Sequence, residues 1–163
     1  MNALPTECPL GVGAHVVLSA EQFTMLEELE KYDLWFVIER LERKKFFPLA
    51  QIEQAVVEFK RYVALIGLGY TGLSMRSYQV DEVWHNFILF THEYDEFCRH
   101  TVGQFIHHAP RTSRRLIPKQ HNENFVTAYM KVFGELPVMY QELRRHEQSL
   151  SECEGSNCSN CDS

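Results

Sequence analysis

Apolar residues in this chain recur at intervals of three and four, and no run alternates with period two for long enough to demand a sheet. The clearest stripe is Ile52, Val56, Phe59, Val63 and Ile66, with Pro48 suited to the first turn and Gly67 or Gly69 to the stop. Ser19 followed by Gln22 has the spacing of a capping box ahead of Phe23, Leu26 and Leu29. Asp33 is placed to cap a second segment with Leu34, Ile38 and Leu41, and Arg43-Lys44-Lys45 complement the dipole at its end. Asp81 is placed to cap a helix carrying Val83, Trp84, Phe87 and Ile88, with Trp84 facing inward. A break is expected near Thr91, which can cap a shorter helix holding Tyr94, Phe97 and Cys98, stopped by Gly103. Two more helices are expected over Asn122–Phe133 and Pro137–Leu150. No repeat at solenoid spacing is present. The chain therefore reads as all-α, a single compact multi-helix domain.

Length agrees with one domain. At 163 residues, 45% hydrophobic and 23% charged, the chain can bury a core without staples. Periodicity sets the helical domain at 19–148, preceded by an N-terminal extension over 1–18. Residues 149–163 contain five Ser, three Cys and no aromatic residue, so a disordered Cys-containing tail is expected there. The longest apolar stretch, Tyr62 to Leu73, is broken by glycines and too short for a bilayer. The start lacks the basic-then-apolar pattern of a secretory signal, and five cysteines make an odd count. Reduced thiols and a cytoplasmic location follow as expectations.

Charge is distributed unevenly. The net value is −6, yet residues 97–122 hold Arg99, Arg111, Arg114, Arg115 and Lys119 with no acid, and half of the eight histidines. Arg111, Arg114, Arg115 and Lys119 form a candidate anion site, and the loop 99–119 a candidate contact for a protein or anionic partner. A solvated loop balancing acidic helices is the commoner outcome of such a pattern. Nucleic acid is disfavoured by the acidic total and by the lack of interleaved aromatics. Glycines 67, 69 and 72 fit no phosphate-cradling motif.

Chemistry concentrates between Val80 and Pro110. His85, Cys98, His107 and His108 are the side chains there able to ligate a transition metal, for which zinc or iron is the expected ion. On one straight helix His85 and Cys98 would diverge by about 220°, so they converge only across a break. His85 meets the His107-His108 pair only if the Gly103–Pro110 loop folds back over its helix. Asp81, Glu82 and Asp95 are the acids nearest for orienting a ring nitrogen. The simpler readings are a core histidine beside Trp84 and a small buried thiol at Cys98. Cys153, Cys158 and Cys161, spaced C-x4-C-x2-C, form a second candidate metal set, with His146 the nearest spare ligand. A redox-exposed tail is the competing reading.

Asp81, Trp84, His85, Leu89, Tyr94, Cys98, Gly103 and His107-His108 trace a D-x-x-W-H, Y-x-x-F-C, G, H-H pattern. It resembles that of the glycine-rich domain-containing protein family, and over residues 20–145 the likeness implies a shared fold and a Trp-His/Cys/His cluster. That family carries over no settled activity; its plant members look like stress and developmental factors. The expected function is thus a small helical domain with a transition-metal site. The alternative is a non-catalytic interaction module using the basic loop 99–119 and the Cys-rich tail. A cysteine hydrolase on Cys98 lacks both an orienting group and an oxyanion turn. Whether the chain is an enzyme stays open at this level.

Overall fold

The computed structural model describes residues 8–109 and 118–141. Among them no strand occurs, and the chain forms six α-helices after a short 3-10 turn at Pro9–Gly11. These are α1 (Ala20–Lys31), α2 (Trp35–Lys44), α3 (Leu49–Gly67), α4 (Tyr78–Ile88), α5 (Thr91–Thr101) and α6 (Lys119–Phe133). Residues 138–141 are again helical. No helix among the described residues is long and apolar enough to cross a membrane.

Helix α3 is the axle, packed against α1, α2, α4 and α6. Its buried residues exceed one stripe: Phe59, Ala64 and Leu65 are fully enclosed, and Glu58 and Lys60 are buried too. A helix surrounded on most sides must also satisfy buried charge. The Glu58 carboxylate accepts from Tyr129 Oη at 2.7 Å and from Arg61 at 2.9 Å. Lys60 Nζ donates to the Glu30 carbonyl at 2.9 Å. No buried side-chain nitrogen or oxygen among the described residues lacks a partner. Gly67 permits the closest approach of α1, since a Cβ there would collide with Sδ of Met25.

The core extends upstream of Ser19. Leu10 and Val12 are buried, and Arg61 Nε donates to the Leu10 carbonyl at 2.8 Å. Packing therefore begins before residue 19, where periodicity had placed the start. The capping box of Ser19 and Gln22 forms as its spacing predicts. Three expected caps move. At α2 the cap position is Leu34, one residue after Asp33, whose Oδ1 accepts from the Trp35 amide at 3.0 Å. Ser77, not Asp81, caps α4 by accepting from the Val80 amide, so α4 starts at Tyr78. Thr91 is the first residue of α5, behind Phe90, and no side chain caps that end. Helix α6 starts at Lys119 rather than Asn122, with Pro118 at its cap. Residues 142–163 lie outside the described residues, and with them the tail and most of the helix expected over Pro137–Leu150.

Candidate metal centre

The two-residue break at Leu89–Phe90 reverses the chain, so α5 packs back against α4. Phe87 then meets Tyr94 and Phe97 at 5.2 and 5.1 Å between ring centroids. This pairing buries Tyr94, and its hydroxyl links three elements. It accepts from Trp84 Nε1 at 2.8 Å and donates to the Ile106 carbonyl at 2.6 Å. A buried hydroxyl with both roles filled is a strong local constraint. It pins the loop after α5 onto α4.

The pinned loop alternates. Ile106 is buried, His107 is exposed and His108 turns inward again. His108 packs edge-on to Trp84 at 4.3 Å and its ring lies 4.5 Å from that of His85. Its Nε2 is 2.9 Å from Oδ1 of Asp81, while Nδ1 of His85 is 3.6 Å from Oδ2 of the same carboxylate. Asp81 and His85 stand four residues apart on α4, so they share a face and present both groups to the loop. The His108 side chain is 9% exposed, against 32% for Asp81 and 41% for His85. The cluster is therefore enclosed on the loop side and open to solvent on the α4 side. One ligating atom from each residue lies within 4.8 Å of the other two.

The remaining candidates lie elsewhere. Cys98 is fully buried, touching Tyr94 and the Ile106 backbone rather than the histidines, and burial pushes its thiol up. The thiol thus lies outside the cluster that Asp81, His85 and His108 form, and its burial among core residues suits packing. His107 points to solvent beside Phe105, at 4.9 Å between rings. Lys119 is an exposed residue in the first turn of α6. Arg111, Arg114 and Arg115 fall outside the described residues, as do Cys153, Cys158 and Cys161.

Asp81 was expected both as the cap of α4 and as an acid orienting a ring nitrogen; the cap is Ser77, while the carboxylate does meet the histidine rings. With Ser77 taking the cap, the Asp81 carboxylate is released to face both histidines. The signal was the i, i+4 spacing of Asp81 and His85. Its field also reaches α3: Tyr62, whose hydroxyl donates to the Leu73 carbonyl at 3.2 Å, is pushed up to about 12 by burial and then by the Asp81 charge.

No curated protein and no solved structure matches the chain. A family model described as UCP032817-like matches residues 27–135, a span that includes Asp81, His85 and His108. That match overturns the resemblance to the glycine-rich domain-containing protein family. The pattern behind the resemblance mixes separate jobs: Trp84, Tyr94 and Cys98 pack, Gly103 takes a left-handed turn after α5, and His107 faces solvent. The chain belongs to the UCP032817-like family, an uncharacterised family.

Proposed function

We propose that this protein is a metal-binding helical domain whose ligands are Asp81, His85 and His108, with zinc or ferrous iron as the ion. The observation that carries the reading is the convergence of one carboxylate and two imidazoles from α4 and a distant loop. Two histidines and a carboxylate with open positions suit non-haem ferrous iron, and the same set suits a zinc site that keeps a water. Bonds of 2.0–2.1 Å to a tetrahedral ion put ligand atoms about 3.3 Å apart. The contacts of 2.9 and 3.6 Å run to the two different oxygens of Asp81, and one ligand atom of each residue lies within 4.8 Å of the others, so side-chain rotation brings the set onto one ion. Solvent access at His85 leaves room for water or a small exogenous ligand. Trp84 and Tyr94 act as positioning residues, fixing the loop that carries His108.

The test is a calorimetric zinc titration of the full-length chain in which Cys153, Cys158 and Cys161 are replaced by Ser, so that tail thiols do not compete. One zinc per chain is expected, with binding lost in His85→Ala and in His108→Ala. Unchanged zinc affinity in both variants would assign the three side chains to a latch between loop and helix only.

A further inference from the structure

A second feature lies along α2. A groove of about 400 Å³ runs beside this helix. One end is aromatic: Phe36 packs against Phe90 at 4.8 Å between rings, and Trp35 stands edge-on to Phe36 at 5.9 Å while remaining 60% exposed. The other end is basic, lined by Arg40, Arg43 and Lys44. Glu39 is the one acid in the lining, and it is engaged by Arg43 at 2.6 Å. The groove thus carries a net positive charge on a molecule whose total is −6.

Arg40 is held in a defined orientation. Its Nε donates to Asn86 Oδ1 at 3.0 Å, and Asn86 is 1% exposed and itself donates to the Glu82 carbonyl at 2.7 Å. A guanidinium whose plane is fixed by a buried amide loses less entropy on meeting a carboxylate than a free lysine does. An indole left in solvent beside two packed phenyl rings is the kind of anchor that dominates peptide interfaces. We infer that this groove docks a short acidic peptide segment of a partner protein, with an apolar side chain on Trp35, Phe36 and Phe90 and carboxylates on Arg40, Arg43 and Lys44. Trp35 to Lys44 spans about 14 Å of helix, the length of about four extended residues. The anchor and the acids therefore sit two to four positions apart. An aromatic anchor set beside a short row of cations suits a peptide that joins one apolar side chain to nearby carboxylates.

The experiment selects from a random ten-residue peptide library against the immobilised full-length protein in the presence of a metal chelator, so its outcome is independent of the metal site. Enriched peptides carry Phe, Leu or Met followed within two to four residues by Asp or Glu. Trp35 is one of two tryptophans, and the other, Trp84, is buried, so quenching by added acrylamide reports on the groove. Binding of an enriched peptide protects Trp35 from quenching, weakens with salt, and falls at least tenfold in Trp35→Ala and in the double variant Arg40→Gln, Arg43→Gln. Circular dichroism confirms that these surface variants stay folded. A selection without that pattern, or equal binding by the variants, overturns the proposal. So does cosedimentation with phosphatidylserine vesicles that the same variants abolish when no peptide binds.

Discussion

Nε2 of His108 lies 2.9 Å from Oδ1 of Asp81, a contact that closes 27 residues of chain into one loop. Everything between the two residues serves that closure: α4 runs out, the chain reverses, α5 packs back and Gly103 releases the loop at a φ of +74°. Because His108 is nearly enclosed and Asp81 is about a third exposed, the contact sits at the edge of the solvent-screened regime.

Asp81→Ala is therefore expected to cost about 1 kcal/mol in urea unfolding of the metal-free protein, the net worth of one such bond. Its effect on zinc affinity is expected to exceed the ~10–100-fold that losing an outer orienting partner produces. Parallel unfolding and zinc titrations check the contrast. A large stability loss with no change in affinity would make Asp81 a structural latch.

Trp84→Ala is expected to destabilise the domain by about 3–5 kcal/mol, a large share of the ~5–15 kcal/mol typical of a whole domain. The indole is 4% exposed and touches Phe59, Tyr62 and the His108 ring. Trp84→Phe keeps most of the volume and is expected to cost less, chiefly through loss of the Tyr94 hydrogen bond. Chemical unfolding of both variants gives the two values.

The helices were legible because their apolar stripes and the Ser19–Gln22 box are local signals. The break before Thr91 was legible for the same reason, although the residue that caps α4 was not. Ser77 and Asp81 are both good caps; Ser77 takes the position, and Asp81 falls in the first turn where it faces two histidines. His107 and His108 are adjacent in sequence and opposite in orientation. Which of them turns inward depends on the register of the loop, and the Tyr94–Ile106 bond sets that register from 12 residues away. Cys98 looked like a ligand beside His85 because both lie near the aromatic pattern. The backward packing of α5 puts the thiol on the core side instead.

Tyr94→Phe separates positioning from packing. The ring stays, but the Ile106 carbonyl loses its donor and Trp84 Nε1 its acceptor, at an expected cost of about 1–3 kcal/mol. His108 follows Ile106 by two residues, so zinc affinity should fall several-fold although Tyr94 is not a ligand. Zinc titration at a temperature where the variant is fully folded reads this out. Unchanged affinity would mean that the Asp81 contact alone holds the loop.

Buried protons predict the alkaline limit. Burial raises Cys98 above its ordinary 9.0 and Tyr62 above its ordinary 10.0, to about 12, and raises Tyr94 in the same direction. A group whose folded value is raised holds its proton more tightly in the native state. Its contribution is complete below the unfolded value and is lost as pH rises through the folded one. Stability should thus decline progressively above about pH 9, and Tyr62→Phe should flatten the part that falls toward pH 12. Unfolding curves across pH 8–11 check the slope, with stability that rises over that range as the contrary result. A thiol reagent at pH 8 should modify Cys98 only at the rate of native-state opening.

X-ray absorption at the zinc edge, on full-length protein loaded with one zinc per chain and with Cys153, Cys158 and Cys161 replaced by Ser, tests the central claim most directly. The account predicts nitrogen and oxygen neighbours at about 2.0–2.1 Å with the outer-shell scattering of two imidazole rings, and no zinc retained by His108→Ala. A sulfur neighbour at about 2.3 Å, or a zinc shell with no imidazole signal, would contradict it.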